Sequence, residues 1–156
     1  MIGKIRSKRL EGTRLIIETG DDTKVYDSKF LVAAMLIYIA RGSGRIEPEE
    51  SAKMIDLIED QFHMESAESL ELLTQAVTDM AENPELVNAL TELGPTLSDT
   101  DREDIAVMAL KVIAADGRRE VAEMEKFNEA VESIGISPEI VHRAFDRYFS
   151  ETMPGN

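Results

Sequence analysis

The sequence predicts an all-α fold: a compact bundle of about seven helices with an internal pseudo-twofold repeat at an offset of 73 residues. Apolar residues make up 43% of the chain but aromatic residues only 5%. The core must therefore be mostly Leu, Ile, Val, Ala and Met, a mixture that suits packed helices better than a β-sandwich. Apolar residues also recur at intervals of three and four along most of the chain, which is typical of amphipathic helices.

Start and stop signals divide residues 28–150 into these helices. A helix over 30–40, capped by Asp27 or Ser28, is apolar nearly all round and is expected at the centre. Pro48 opens the next helix, since proline fits a first helical turn. Thr100 begins a capping box ahead of a second apolar helix at 105–115. Further helices are expected over 66–82, from 83 to about 93, up to about 134, and from 138 onward.

The two ends of the chain are less regular. Residues 1–27 form an N-terminal extension that fits either a short hairpin around a Gly-Asp-Asp turn, with strands near 14–18 and 24–27, or a frayed helix. Residues 151–156 are expected to be a disordered tail. The helical domain itself is predicted to span 28–150.

The internal repeat appears when the sequence is compared with itself at an offset of 73 residues. Each unit consists of a buried helix, a glycine corner, and an amphipathic helix with acidic residues in its first turn. Two such units are expected to pack as a pseudo-twofold pair, which would bring the two glycine corners together. The matched pairs include Gly44 with Gly117, Arg45 with Arg118, Glu47 with Glu120, and Glu50 with Glu123.

The second unit, Ile113-Ala-Ala-Asp-Gly-Arg118 followed by Glu120 and Glu123, resembles the tellurite-resistance TerB family. Units of that family have an apolar helix, then Ala-x-Asp-Gly-x-(Ile/Leu), then acidic residues that open the next helix. The first unit, Ile39-Ala-Arg-Gly-Ser-Gly-Arg-Ile-Glu-Pro-Glu-Glu50, has the same Pro-Glu-Glu start, and the similarity covers about residues 28–150. The resemblance implies a compact helical bundle, a role in tellurite or stress resistance, and acidic residues suspected of binding metal cations.

The chain departs from the family pattern at two positions. Ser43 occupies the place of an Asp in the first unit, and Arg119 occupies the place of an apolar residue in the second. A cation site formed jointly by the two corners would be weaker on the Ser43 side. We therefore expect a divergent member of the family.

Five carboxylates at the two corners are the candidate metal ligands. Glutamates three positions apart share a helix face, and two such faces brought together could hold one hard cation such as calcium or magnesium. The alternative is structural: Asp-Gly is a common turn, and acidic residues in a first helical turn complement the helix dipole by about 0.3–1 kcal/mol each. The spacing does not fit an EF-hand loop. The candidates are Asp116, Glu120, Glu123, Glu47 and Glu50.

The charge of the chain restricts its partners. The net charge is −14, and residues 47–104 hold seventeen acidic residues against only Lys53 and Arg102, so we expect no nucleic-acid partner. An acidic surface for a basic protein partner, without any metal site, is the alternative function. Five basic residues among residues 1–14 could contact an anionic membrane surface or the acidic face of a second subunit, or could merely keep a disordered start soluble. The oligomeric state is left open.

Catalysis is not expected. The chain has no cysteine, and His63 and His142 have no partners at the spacing of a catalytic triad or a metal site. The most apolar run, residues 31–40, is half the length of about 20 residues that a transmembrane helix needs. We expect a cytoplasmic, non-catalytic binding module whose cofactor is either absent or a divalent cation.

Overall fold

The computed structural model describes residues 5–20, 22–115 and 121–152, apart from the side chain of Ser43. Within these ranges the chain forms seven α-helices, two 3₁₀ helices (Arg41–Ser43 and Thr91–Thr96) and one small sheet, which confirms the predicted helical bundle. The sheet is a departure from an all-α fold. The elements are β1 (Ser7–Glu11), β2 (Arg14–Glu18), β3 (Thr23–Tyr26), α1 (Ser28–Ala40), α2 (Pro48–Phe62), α3 (Ser66–Glu82), α4 (Leu86–Leu90), α5 (Asp99–Ala114), α6 (Val121–Ser133) and α7 (Pro138–Thr152).

The N-terminal extension forms an antiparallel sheet in the order β1-β2-β3. Strands β2 and β3 lie close to where the hairpin interpretation placed them, and a frayed helix is wrong for 7–11, 14–18 and 23–26. Strand β1 was not predicted, because its five residues are all exposed and show no alternation of apolar and polar side chains. Leu15, Ile17 and Tyr26 are buried, so one face of the sheet belongs to the core.

A buried carboxylate on α3 fastens this sheet to the helices. Asp79 is 1% exposed. It accepts hydrogen bonds from the Tyr26 hydroxyl at 3.1 Å and from Gln75 Nε2 at 2.7 Å, and Lys24 Nζ lies 3.3 Å away. Burial and the neighbouring Asp79 carboxylate raise the pKa of Tyr26 well above its usual value. The phenol therefore stays protonated and donates to Asp79.

The core lies around α1 and α5. Ten of the thirteen residues of α1 are buried, which confirms that this nearly all-apolar helix is central. It packs against α2, α3, α5 and α6, while α5 also packs against α7. In the part of the chain that the structure describes, no helix is long and apolar enough to cross a membrane.

Several helix ends differ from the sequence prediction. Ser98, and not Thr100, caps α5, since its hydroxyl accepts from the Asp101 N–H at 3.1 Å. The short helix α4 begins at Leu86, after Pro84. Helix α7 continues through Thr152, so the first two residues of the predicted tail are helical and 153–156 lie outside the described residues.

The placement of helices agrees with the predicted offset at one point. Helices α2 and α6 begin at Pro48 and Val121, which are 73 residues apart. Helix α1 contacts α6, and α5 contacts α2. Two units packed about a pseudo-twofold axis would produce such crossed contacts, and the internal repeat itself stays a prediction.

Candidate functional site

The first glycine corner connects α1 to α2. Helix α1 ends at Ala40 and is followed by the 3₁₀ helix Arg41–Ser43. Gly44 then adopts φ = 105°, a backbone conformation that side chains rarely allow. Pro48 occupies the first turn of α2, where its missing N–H costs nothing. This local sequence turns the chain sharply and places Glu47 and Glu50 at the corner.

The corner rests directly on the first turn of α6. A Cβ atom placed on Gly42 would lie 2.8 Å from the backbone oxygen of Ala122 and 2.9 Å from Cα of Glu123. Only a residue without a side chain permits this approach. The structure thus brings the first corner against the start of α6, the residues immediately after the predicted second corner.

Glu47 and Glu50 form a capping box at the start of α2. The backbone N–H of Glu47 donates to Glu50 Oε1 at 3.0 Å. The guanidinium of Arg45 lies 3.3 Å from the carboxylate of Glu47. Both acidic residues therefore stabilise the helix end, as the structural alternative requires.

Capping does not account for the burial of these carboxylates. Glu50 is 0% exposed and Glu123, at the matching place in α6, is 1% exposed. Among the residues that the structure describes, Glu50 Oε2 is buried without a hydrogen-bond partner. A buried charge is expensive unless an opposite charge or hydrogen-bond donors compensate it. Glu50 thus carries one buried carboxylate oxygen that no donor among the described residues satisfies.

The five predicted ligands are only partly within the described residues. Glu47, Glu50 and Glu123 are described, whereas Asp116 and Glu120 lie outside. Within 5–20, 22–115 and 121–152, no group of three or more His, Cys, Asp or Glu side chains is arranged to hold a metal ion. Glu47, Glu50 and Glu123 alone do not complete a site, and the predicted set depends on Asp116 and Glu120.

The two histidines are exposed and do not belong to the first turns of α2 and α6 that carry the buried glutamates. His63 ends α2 in a left-handed conformation (φ = 55°), at the opposite end of that helix from Glu50. His142 is exposed on α7, with Nε2 3.4 Å from the carboxylate of Asp146. Each position has a local structural explanation.

A polar cluster that was not predicted from the sequence joins α1 to α6. The hydroxyl of Tyr38 donates to Glu129 Oε2 at 2.7 Å, and Lys126 Nζ lies 3.4 Å from the same hydroxyl. The hydrogen bond from Tyr38 and the charge of Lys126 lower the pKa of Glu129 below its usual value. The one signal in the sequence was a tyrosine within the otherwise apolar run 31–40.

These features define a small helical-bundle domain with buried glutamates in the first turns of α2, which follows the glycine corner, and of α6, which packs against that corner. The family model described as Tellurite resistance protein TerB matches residues 29–146. The chain belongs to the TerB family, which confirms the resemblance carried by the two corner motifs. The match begins after β3, so the N-terminal sheet lies outside it. No curated protein and no solved structure matches the chain.

Proposed function

We propose that this TerB domain is a non-catalytic module that binds a divalent cation at the glycine corners and contributes in this way to tellurite or stress resistance. The observation that carries the proposal is the complete burial of Glu50, with one carboxylate oxygen that no donor of the described residues satisfies. Hard cations such as calcium and magnesium bind carboxylate oxygens of this kind.

The packing at the corner supports a shared site. Gly42 lies against the backbone of Glu123. Glu120 immediately precedes α6 in the sequence, and Asp116 comes four residues earlier. In the proposed site Asp116 and Glu120 add their carboxylate oxygens to those of Glu47, Glu50 and Glu123, which alone do not complete a site. Ser43 contributes no carboxylate, so we propose an incomplete coordination sphere with water in the remaining positions.

The charge of the chain favours a cation over the tellurite oxyanion as the ligand. The net charge of −14 repels anions and raises the local concentration of cations. A direct contact between these glutamates and tellurite would place like charges together. We therefore propose that the domain acts in resistance through a bound cation or through a partner, and not by holding the oxyanion.

The test is thermal denaturation of the full chain, freed of metal with EDTA, in millimolar calcium, magnesium, manganese or zinc. A ligand that binds only the folded state raises the melting temperature. We expect a rise with at least one of these ions, which Glu50→Gln and Asp116→Asn abolish. Glutamine is compatible with a capping box, so Glu50→Gln retains the helix start.

Glu68→Gln is the matched control. Glu68 occupies the same capping-box position at the start of α3, but it is exposed and has no glycine corner beside it. It should keep the full response to the ion. Equal responses of the two glutamine variants, or no response of the native chain to any of the four ions, would refute the cation site. The acidic protein-interaction domain would then be the better hypothesis.

A further inference from the structure

A second candidate site lies on another part of the molecule, between α1, α4 and α6. A cavity of about 210 Å³ opens there. Its apolar walls come from Ala34 and Met35 of α1, Val87 and Leu90 of α4, Ala130 of α6, and Ile134, the residue after α6. A cavity of about 150 Å³ in another protein holds benzene, so this volume suffices for a ring with a small substituent.

The two hydroxyl groups in the wall add little polarity to its interior. The hydroxyl of Thr91 donates to the backbone oxygen of Asn88 at 2.6 Å, and the hydroxyl of Ser133 donates to that of Ala130 at 2.8 Å. Both hydroxyl groups are thus used within their own helical turns. The cavity therefore favours a ligand with an apolar body.

One rim of the cavity is polar and electrically balanced. Tyr38 and Glu129 line it, and Lys126 Nζ lies 3.6 Å from Glu129 Oε2. The ammonium group also lies 5.0 Å from the centre of the Tyr38 ring. The Tyr38 hydroxyl donates to Oε2, whereas no side chain or backbone group of the described residues donates to Oε1. A ligand can therefore donate one hydrogen bond to Glu129.

The balance of charge decides the head group of that ligand. Glu129 is already paired with Lys126, so a second full charge would lose its hydration without gaining an opposite charge. A hydroxyl group gives up much less hydration and still reaches a charged acceptor.

We infer that this cavity binds a small uncharged molecule with an apolar body and one hydroxyl group, an alcohol or a phenol, whose hydroxyl donates to Glu129. This inference is independent of the proposed cation site. The two sites share no residue.

The test is a titration of the methyl-labelled full chain with phenol, followed by NMR. We expect shifts of the methyl groups of Met35 and Val87 that saturate with phenol concentration. The internal control is the apolar groove between α2 and α3, which Met54 and Leu73 line and which has no comparable charged rim. Equal shifts of the Met54 and Met35 methyl groups would mean non-specific binding to apolar surface, and the inference would be wrong.

Two further probes test the head group. A hydrogen bond to a charged acceptor predicts that phenol binds about tenfold more tightly than benzene. Benzoate should bind more weakly than phenol. Glu129→Gln should reduce the preference of phenol over benzene, and Ala130→Leu, which fills the cavity, should abolish the binding of both. Equal affinities for phenol and benzene in the native chain would contradict the role of Glu129.

Discussion

Gly42 and Glu123 lie 81 residues apart in the sequence, and their backbones meet so closely that a Cβ on Gly42 would stand 2.9 Å from Cα of Glu123. The contact joins the corner after α1 to the first turn of α6. It also explains how a glutamate of α6 can lie near the corner that presents Glu50. The packing of this corner is therefore a property that single substitutions can test.

Gly42→Ala should destabilise the chain by about 1–3 kcal/mol, because the added methyl group would overlap backbone atoms of α6 that cannot move aside separately. Urea denaturation measures the change in the free energy of unfolding. Gly20→Ala is the control, since a Cβ there would lie 3.5 Å from the flexible side chain of Arg6. If the two alanine variants were equally stable, the close approach at Gly42 would be wrong.

Glu50→Gln should stabilise the metal-free chain by about 1 kcal/mol, because it removes a buried charge while keeping a side chain that fits the capping box. Denaturation in EDTA measures this difference. The same substitution should remove the stabilisation by added cation. Glu50→Gln should therefore be more stable than the native chain in EDTA and less stable than it at a saturating concentration of the cation. A loss of stability in EDTA would show that the charge of Glu50 is already compensated within the folded chain.

Asp79→Asn should destabilise the chain by about 1–3 kcal/mol, because it weakens charge-assisted bonds of a buried carboxylate to Lys24 and Tyr26. Amide hydrogen exchange should show the loss first in β2 and β3, which this carboxylate holds against α3. Asp56→Asn, at an exposed position of α2, serves as the control and should leave exchange in the sheet unchanged. Uniform faster exchange throughout the bundle would contradict a local role.

The stability of the fold should fall at alkaline pH in a way that depends on Tyr26. Its pKa is raised in the folded state by burial and by Asp79, while the unfolded chain ionises near pH 10. This contribution is therefore fully present below pH 10 and is lost as the pH rises from there toward the folded pKa. The free energy of unfolding should be measured from about pH 9 to about pH 11, a range centred on the tyrosine pKa of the unfolded chain. Over this range it should decline less steeply in Tyr26→Phe than in the native chain. Tyr148→Phe should decline like the native chain.

Local sequence signals predicted most helix boundaries. Proline at position 48 and serine before Pro138 mark helix starts because they satisfy or remove N–H groups that a first turn leaves unpaired. The near-continuous apolar run of α1 indicated a central helix, because a helix that is apolar on all sides has no face suited to water. Predictions failed where two local signals competed, as at Ser98 and Thr100, which both precede a suitable acidic residue.

The candidate site was less accessible from the sequence. The repeat and the family motifs identified Glu47, Glu50 and Glu123, but no local pattern distinguishes a buried first-turn glutamate from an exposed one such as Glu68. The difference in burial between Glu50 and Glu68 arises from the segments that pack over each side chain in the folded chain. The cavity beside Tyr38 was equally invisible, because its walls come from three helices that are far apart in the chain.

The sequence by itself determined the helical class, most helix ends, the family and the acidic character, since each follows from neighbouring residues or from composition. Only the tertiary structure decided that Gly42 rests on α6, that Glu50 loses contact with water, that Asp79 fastens the sheet and that a cavity opens beside α4. Those features depend on distances between segments brought together by folding. Burial and close approach are properties of the packed chain, and no residue carries them alone.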